Sequence, residues 1–408
     1  MLITNIKTLF GTRENTQLLR GTALGEMPSI ENAFLEVEDG KILNYGKMTD
    51  LNADRQGEVF DAKGKSILPA FCDSHTHIVF AGSREDEFVH KIKGLSYAEI
   101  AAKGGGILNS AKRLASTSED DLFAEAMVRV NEVMRLGTGA LEIKSGYGLS
   151  LEAELKMLRV IRRIKDTVNI PVKSTFLGAH AFPEPYKEDK EAYIKLIVDE
   201  MLPAIAEEKL ADYIDVFCET GFFDEKLSEQ VLNAGAKYGL KAKIHANQLN
   251  NSGGVQLGIK TNALSVDHLE TLGKEEIELL GKHDIISTLL PSAAFFLRMG
   301  FPPARELIDA GAAIALATDY NPGSSPSGNI PLLISLACIQ MKITPEEAFN
   351  AATVNGAFAM EVENEVGSIT KGKRANFILT KDIPSLAYMP YAFGSDNIEK
   401  VMIKGKWI

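Results

Sequence analysis

Through the middle of the chain, short runs of apolar and β-branched residues alternate with stretches in which apolar residues recur every three or four positions. The runs have the length of buried strands and lie at 66–73, 138–144, 172–179, 213–218, 241–246, 263–268, 285–290 and 312–318. Helical periodicity between them is clearest at 119–136, 151–165, 186–208 and 224–238. Eight strand–helix units predict an α/β fold, a (β/α)₈ TIM barrel. A doubly wound sheet is the competing fold, but the glycine-rich fingerprint that it usually carries is missing.

The two ends of the chain have a different pattern, in which short alternating runs are separated by glycine-containing turns. The N-terminal end contains AFLEVEDGKILNYGK, with the hairpin signal Asp39-Gly40, and the C-terminal end contains IEKVMIKGKWI. Neither end has enough strands for an independent sheet. We therefore expect residues 1–65 and 361–408 to form one small discontinuous β-sandwich domain beside a barrel of residues 66–360.

The charge and the cysteine content narrow the class of protein. The net charge is −11 and the isoelectric point is near 5.3, so the overall field opposes nucleic acid and anionic membranes. An anionic substrate would need a local cation. We find neither a signal-peptide pattern nor a run of 18 apolar residues. The three cysteines, Cys72, Cys218 and Cys338, are far apart in apolar surroundings, which indicates reduced thiols in a cytoplasmic enzyme.

Five of the seven histidines fall where barrel strands end. The apolar run LPAFCD leads directly into S-H-T-H, so His75 and His77 point to one face of the chain. His180 follows the third predicted strand, His245 lies near the end of the fifth, and His268 ends the sixth. The C-terminal ends of the strands form the active-site mouth of a TIM barrel. This clustering is the strongest chemical signal in the sequence.

Three neutral imidazoles and one carboxylate make a suitable site for zinc or iron. We predict His75, His77, His245 and Asp319, which follows the eighth strand, as the ligands of one metal ion. Such an ion lowers the pKa of a bound water molecule, and Asp319 could take the proton and pass it to a leaving nitrogen. His268 would donate to the developing oxyanion. His180 would contact the substrate.

Other roles for these residues remain open. A single histidine such as His180 can be a hydrogen-bonded polar group of the core, and Asp319 could cap a helix. Lys144, at the end of the second strand, or Lys173, at the start of the third, would be a bridging ligand of a two-metal site if carboxylated. Cys72 lies close enough in sequence to ligate, although its apolar setting favours a packing role.

The H-x-H motif on the first strand and the aspartate after the eighth resemble the amidohydrolase superfamily, whose members share the barrel. The C-terminal GSITKGKRANFILT also fits the sandwich of that superfamily. Within it, five blocks covering nearly the whole barrel resemble the imidazolonepropionase family: HTHIVFAGSREDEF, EIKSGYGL, STFLGAH, HANQL and DYNPGSSP. The five blocks occur in the order that this family has.

The resemblance implies hydrolysis of the cyclic amide of 4-imidazolone-5-propanoate to N-formimidoyl-L-glutamate, a step of histidine degradation. It implies one Zn²⁺ or Fe³⁺ on the four predicted ligands, and it implies a homodimer. It also implies substrate contacts from Arg84, Tyr147, His180, Gln248, Asn321, Gly323 and Ser324.

Two of these contacts have a physical basis in the sequence. Arg84 lies in the loop after the first strand, where it could hold the propionate group of the substrate, unless it is simply solvated beside its acidic neighbours. The turn NPGSS could offer backbone N–H groups to an anion, or it could be an ordinary turn.

Gln248 separates this family from related enzymes. Deaminases of the superfamily place a glutamate three residues after the fifth-strand histidine, where it carries protons to departing ammonia. Here HANQ places an amide, which can orient a substrate but has no proton to exchange. We therefore group Gln248 with Asp319 and His268 as the catalytic set, and we leave proton transfer to Asp319. The alternatives are an aminohydrolase of a purine, pyrimidine or triazine ring, and a non-catalytic barrel that binds a metal or a metabolite.

Overall fold

The computed structural model describes residues 1–52, 57–95 and 105–408. Its strands are β1 (Leu2–Phe10), β2 (Ser29–Glu38), β3 (Lys41–Lys47), β4 (Val59–Asp61), β5 (Ile67–Pro69), β6 (Phe71–Asp73), β7 (Thr138–Lys144), β8 (Val172–Ala179), β9 (Tyr213–Cys218), β10 (Lys241–Ala246), β11 (Ser265–His268), β12 (Ile286–Leu289), β13 (Ala313–Leu316), β14 (Phe377–Thr380), β15 (Ile398–Ile403) and β16 (Lys406–Trp407). The main helices are Glu85–Ile92, Ile107–Ser116, Glu119–Arg135, Leu151–Thr167, Lys190–Leu196, Leu202–Glu208, Glu225–Ala236, Gly254–Lys260, Lys274–Lys282, Pro291–Leu297, Ala304–Asp309, Ile330–Met341 and Pro345–Asn350. Shorter helical turns lie at Gly21–Gly25, Met48–Asp50, Glu184–Tyr186, Ile197–Met201, Ala351–Asn355, Gly356–Phe358 and Tyr388–Tyr391.

The barrel predicted from the alternating pattern is confirmed. Strands β6 to β13 pair in parallel and in sequence order, so that each is hydrogen-bonded to the strand before it. The first and last strands are joined just beyond their ends, where the backbone N–H of Asp319 donates to His75 O and that of His77 donates to Tyr320 O, both at 2.9 Å. Thr318 reinforces this seam through two hydrogen bonds to the buried carboxylate of Asp73. The closure therefore involves the same residues that carry the candidate site.

The run at 66–73, predicted as one strand, consists of two strands. Ile67–Pro69 pairs with β14 and with Leu9 of β1 in the sheet of the chain ends, whereas Phe71–Asp73 pairs with β7 in the barrel. Proline at position 69 has no N–H and cannot continue a regular ladder. The chain therefore changes sheets within four residues. The domain bounds near residues 65 and 361 remain a prediction.

The chain ends share one sheet, as their pattern predicted. The strand order is β16-β15-β14-β5-β1-β2-β3, and the short strand β4 pairs with the start of β1, at residues 2–4. Asp39 and Gly40 both have positive φ angles, +50° and +75°, as the predicted hairpin turn between β2 and β3 requires. Alternate residues of this sheet form a separate apolar core, which includes Ile3, Leu35, Phe377 and Met402.

Helices cover the barrel and begin at ordinary capping residues. The side chains of Ser118, Ser150 and Asp224 each accept a hydrogen bond from the first turn of the helix that follows them. The predicted helix at 186–208 is observed as two helices joined by the π-helical turn Ile197–Met201. Among the residues that the structure describes, no helix combines the length and apolar character needed to cross a bilayer.

Candidate metal centre and substrate cavity

The four predicted metal ligands converge at the C-terminal mouth of the barrel. His75 Nε2 lies 3.1 Å from His245 Nε2, which lies 3.4 Å from His77 Nε2. Asp319 Oδ1 lies 3.7 Å from His75 Nε2 and 3.5 Å from His77 Nε2. Ligands about 2.1 Å from a tetrahedral zinc ion stand about 3.4 Å from one another. These four distances are close to that value, and the three imidazole nitrogens form one compact group that Asp319 approaches from the side of His75 and His77.

Buried carboxylates orient two of these imidazoles from behind. His75 Nδ1 donates to Asp267 Oδ2 at 2.6 Å, and His245 Nδ1 lies 3.0 Å from Asp215 Oδ2. With Nδ1 carrying the proton, the lone pair of each Nε2 points to the centre of the site. Burial lowers the pKa of both His75 and His77 well below the usual value, so these imidazoles are neutral.

This arrangement favours a bound cation. His75 Nε2 and His245 Nε2 lie 3.1 Å apart inside the protein, and with a proton on each Nδ1 the lone pairs of the two Nε2 atoms repel each other. A metal ion held by the two nitrogens would remove that repulsion. The donor set of three nitrogens and one carboxylate oxygen fits zinc or iron. The residues present therefore fit the metal cofactor.

A layer of paired charges lies directly beneath the site, and we call it the floor: Glu142, Lys144, Asp215, Lys243 and Asp267. All five side chains are inaccessible to solvent. Lys144 Nζ donates to Glu142 Oε1 at 2.7 Å and to Asp215 Oδ2 at 2.8 Å, and it lies 3.7 Å from Asp267 Oδ2. Lys243 forms an ion pair with Glu142 and donates to Ser74 O at 3.0 Å.

The charges of the floor set its protonation states. Burial alone would lower the pKa of Lys144, but Asp215, Glu142 and Asp267 raise it, so Lys144 remains an ammonium. Burial alone would raise the pKa of Asp215, but the contacts with His245 and Lys144 hold it well below the usual range. The hydrogen bonds of the Lys144 ammonium go to Glu142 and Asp215, so Lys144 supports the carboxylates behind the imidazoles.

The other lysine and the cysteine considered as ligands lie away from the site. Lys173 Nζ lies 3.7 Å from Asp212 Oδ1, near the start of β8 and therefore at the opposite end of the barrel. Cys72 packs among Ala140, Met360 and neighbouring apolar residues. Burial raises the pKa of its thiol to about 12. Neither residue has a part in the centre.

His268 and Asp319 reach the site through unusual backbone conformations. Their φ angles are +83° and +54°, a region that L-residues enter at a cost. His268 Nδ1 lies 3.3 Å from Glu270 Oε1. Burial alone would lower the pKa of His268, but Glu270 raises it. The second oxygen of Asp319 accepts from Ser324 Oγ at 3.1 Å, and burial raises the pKa of its carboxyl group.

A cavity of about 680 Å³ opens above the centre. All seven residues that the resemblance implied as substrate contacts line it: Arg84, Tyr147, His180, Gln248, Asn321, Gly323 and Ser324. Its outer wall is largely apolar and includes Phe88, Phe222 and Phe296. The structure thus brings the predicted residues into one cavity without testing the role of each.

One buried carboxylate organises the loop after β7. Glu154 accepts from the N–H groups of Gly146, Gly148 and Leu149 at 3.1, 2.7 and 2.9 Å. The loop presents the buried Tyr147 to the cavity, and burial raises the pKa of its phenol, which therefore keeps its proton. Gly146 O accepts from His180 Nδ1 at 3.0 Å. Burial, followed by His245, lowers the pKa of His180 to about 3, so this imidazole is neutral.

The loops after β10 and β13 have similar internal supports. Glu219 accepts from the N–H groups of Leu249 and Asn250, the residues that follow Gln248. Asn321 Oδ1 accepts from the N–H groups of Gly323 and Ser324, both at 2.8 Å. The sequence NPGSS had suggested that these N–H groups could bind an anion. In the structure they are engaged within the turn and are not free for one.

Sequence reasoning missed the supporting carboxylates. Glu142, Glu154, Asp215, Glu219 and Asp267 all lie within or directly after predicted elements, and all are buried. A signal was present in YIDVFC and ALSVDH, where a single carboxylate interrupts an apolar strand. A buried acid in such a run needs a partner. The partner is identified only when the barrel brings separate strands together.

A (β/α)₈ barrel with neutral imidazoles and one carboxylate at its C-terminal mouth defines a metal-dependent hydrolase. A family model described as "Amidohydrolase family" matches residues 66–408. Imidazolonepropionase of Christiangramia forsetii is 54% identical over 100% of both chains. Imidazolonepropionase of Flavobacterium johnsoniae is also 54% identical, over 100% of this chain and 99% of the relative. The chain belongs to the imidazolonepropionases of the amidohydrolase family.

The fold agrees with that membership. The crystal structure of 5-methylcytosine deaminase from Klebsiella pneumoniae liganded with phosphonocytosine is similar, with a TM-score of 0.75 and 16% identity. The similarity covers 100% of this chain and 98% of that chain. At this identity it bears on the fold alone.

Proposed function

We propose that the protein hydrolyses 4-imidazolone-5-propanoate to N-formimidoyl-L-glutamate, a step of histidine degradation. Water adds to the ring carbonyl, the ring C–N bond breaks, and the ring nitrogen takes a proton. The product has a carboxylate where the substrate had the amide carbonyl. The observation that carries the proposal is the match over the whole chain to imidazolonepropionases at 54% identity, combined with the grouping of His75, His77 and His245, with Asp319 beside the first two, below one cavity.

His75, His77, His245 and Asp319 would hold one zinc or iron ion. The ion would lower the pKa of a water molecule and polarise the carbonyl of the amide. His75 is suited to this because Asp267 fixes its tautomer, and burial keeps His75 and His77 neutral.

Asp319 would transfer the proton from the attacking water to the ring nitrogen. Its carboxylate lies at the centre of the site with one oxygen facing His75 and His77 and the other held by Ser324. A raised pKa makes a carboxylate a better proton acceptor. His268, whose proton is stabilised by Glu270, would donate to the oxygen that gains negative charge.

The remaining cavity residues would bind and orient the substrate. Arg84 would pair with the propionate group, and Tyr147 and neutral His180 would contact the ring. Gln248, at the place where deaminases carry a glutamate, would orient the ring without exchanging a proton. Asn321, Gly323 and Ser324 would form the wall opposite these groups. We further propose that the protein is a cytoplasmic homodimer with no nucleic-acid or membrane partner.

Asp319→Asn tests the proposal. We expect the metal-loaded variant to lose about a hundredfold to ten-thousandfold in kcat, because an amide cannot accept the proton. Loss of the imidazolone chromophore and formation of N-formimidoylglutamate measure turnover, and elemental analysis measures the metal. Asp166→Asn, on the exposed face of the helix Leu151–Thr167, is the matched control.

Three results would contradict the proposal. Full activity of metal-loaded Asp319→Asn would remove the role of this residue. Release of ammonia from a purine, pyrimidine or triazine ring, without turnover of imidazolone propionate, would identify a deaminase. Complete inactivity of a protein that contains one metal ion per chain would favour a binding protein.

A further inference from the structure

Three charged residues follow one face of the helix Glu85–Ile92, and we call them the rim cluster: Arg84, Glu87 and Lys91. They are spaced three and four positions apart, which places them on the same side of the helix. Arg84 and Lys91 both line the cavity above the metal centre. The cluster therefore faces any ligand bound there.

Arg84 and Lys91 both lie against the turn that contains Gly323. Lys91 Nζ donates to Gly323 O at 3.2 Å. Arg84 passes so close to Gly323 that a Cβ atom at this position would lie 2.4 Å from Arg84 Nη1. The absence of a side chain at position 323 therefore lets both cations reach the same part of the cavity wall.

The rim cluster has one positive charge more than it can neutralise. Glu87 Oε2 accepts from Arg84 at 2.5 Å, and its other oxygen accepts from the N–H of Gly106 at 2.9 Å. Within residues 1–52, 57–95 and 105–408, no carboxylate lies within ion-pair distance of Lys91 Nζ, and the buried Arg84 Nε has no hydrogen-bond partner. Two cations therefore share one carboxylate.

The surroundings make the unmatched charge costly. Lys91 is only partly exposed, and burial together with the neighbouring Arg84 lowers its pKa. The Lys91 ammonium also lies 5.9 Å from the centre of the Phe296 ring, within the apolar wall. An anion placed between Lys91 and Arg84 would relieve the repulsion between the two cations.

We propose that Lys91 is a specificity-determining residue that binds the carboxylate of the substrate together with Arg84. The inference rests on the proposed function for the identity of that substrate. Arg84 supplies a planar group with an unused N–H, and Lys91 supplies a point charge beside it. A substrate with a neutral tail would leave the two cations unbalanced, so the pair selects for an anionic tail.

Binding of two non-reactive probes isolates this effect. One probe is 3-(imidazol-4-yl)propionate and the other is its neutral propanamide, and both have the same ring. Calorimetry on the metal-loaded protein gives the two dissociation constants. We expect the wild type to prefer the carboxylate by about tenfold or more, the size of a charge-assisted hydrogen bond.

Lys91→Met should remove most of that preference, and Lys91→Arg should retain part of it. With imidazolone propionate as substrate, Lys91→Met should raise KM by about tenfold while kcat changes less than threefold, because the charge is expected to act equally in the ground state and the transition state. Lys93→Met makes the same change two residues further along, on an exposed side chain that does not line the cavity, and should match the wild type.

The outcomes separate this inference from the proposed function. If Lys91→Met keeps the full preference for the carboxylate while Arg84→Met loses it, Lys91 has no part in binding the tail and the inference fails. If the wild type turns over imidazolone propionate but shows no preference for the carboxylate probe, the inference fails and the proposed function stands. A preference that depends on Lys91 in a protein that does not turn over imidazolone propionate would retain the inference and remove the proposed function.

Discussion

The floor and the rim cluster are both groups of lysine or arginine with carboxylates, but they differ in how completely the charges are matched. In the floor, each ammonium has carboxylate partners and every side chain is inaccessible to solvent. In the rim cluster, Arg84 and Glu87 pair with each other, and within the described part of the chain Lys91 Nζ has only the carbonyl oxygen of Gly323 as a partner. The three carboxylates and two ammoniums of the floor each lie within ion-pair distance of an opposite charge, and the excess negative charge lies against the predicted metal ligands His75 and His245. The rim cluster has an excess positive charge and requires an anion from outside.

The difference corresponds to two tasks. Charges in a dry interior are tolerable only if each is paired and hydrogen-bonded, and such a network holds its members in fixed positions. Asp215 and Asp267 use that rigidity to fix His245 and His75. The rim cluster borders a cavity that is open to solvent, so an unmatched cation there can be hydrated until a ligand replaces the water. Rigid pairing is suited to orienting metal ligands, and incomplete pairing is suited to binding.

The largest expected effect is on stability, and it follows from removing the central ammonium of the floor. Lys144→Met removes the ammonium that contacts Glu142 and Asp215 and faces Asp267, so carboxylates are left uncompensated in the interior. We expect the free energy of unfolding to fall by about 3–5 kcal/mol. Denaturant titration of the metal-loaded protein measures the loss.

Two matched variants test whether the loss in the free energy of unfolding comes from the buried position of Lys144 or from the removal of any lysine charge. Lys237→Met, on the exposed surface after the helix Glu225–Ala236, should change the free energy of unfolding by less than about 0.5 kcal/mol. Lys91→Met in the rim cluster should change it by less than about 1 kcal/mol. Equal losses for Lys91→Met and Lys144→Met would contradict the distinction between the two clusters.

A smaller effect is expected from a substitution that keeps the shape of the floor but weakens its hydrogen bond to one imidazole. Asp267→Asn replaces the carboxylate that accepts from His75 Nδ1 at 2.6 Å with a neutral amide. We expect the affinity for the metal to fall about tenfold to a hundredfold, as for other partners of ligating histidines. Competition with a chromophoric chelator measures this directly, and the measurement does not depend on turnover.

Asp166→Asn is again the control for Asp267→Asn, since it makes the same chemical change on an exposed helix face. Unchanged metal affinity in Asp267→Asn would mean that the packing of His75 alone fixes its ring. The orienting role of the floor would then rest on Asp215 only.

Most of the barrel could be predicted because each strand has a local signal. The runs at 138–144, 172–179 and 213–218 coincide with β7, β8 and β9, and the histidines were assigned to the mouth from their positions at strand ends. The split of 66–73 was not predicted. Pro69 is a local signal for a break, but the sequence of neither half shows which sheet it joins, because this depends on the pairing partners, β14 for Ile67–Pro69 and β7 for Phe71–Asp73.

The supporting residues could not be predicted because their partners are remote in sequence. Asp267 and His75 are 192 positions apart, and Lys144 and Asp215 are 71 apart. H-x-H is a local pattern that alternation in a strand explains, whereas the pairing of a carboxylate with an imidazole depends on the closed barrel. For the same reason, Arg84 was predicted to be a cation near the substrate, but the uneven charge of its cluster was not.

The smallest expected effect concerns the pH dependence of the rim cluster. Among the residues that the structure describes, the groups that face Lys91 are Arg84 and Glu87 from its own helix, Gly323 O from the turn after β13, and the Phe296 ring. An arginine side chain remains charged throughout the accessible pH range. Burial alone would raise the pKa of Glu87, but its hydrogen bonds from Arg84 and Gly106 lower it, so Glu87 remains ionised above neutral pH. Lys91 is therefore the member of the cluster that changes charge.

Burial and Arg84 lower the pKa of Lys91 below its ordinary value of 10.5. Lys91 is charged below that pKa and loses its proton as the pH rises through it, so attraction for a carboxylate weakens between neutral pH and pH 10.5. We expect the KM of the wild type to rise in this window by no more than the roughly tenfold factor that Lys91→Met removes.

In Lys91→Met the same rise should be absent, while ionisation of the substrate ring affects both proteins alike. Steady-state kinetics of the two proteins across the window provide the comparison. An identical alkaline rise in both would assign it to the substrate or to the centre, and would show that the rim cluster has a constant charge.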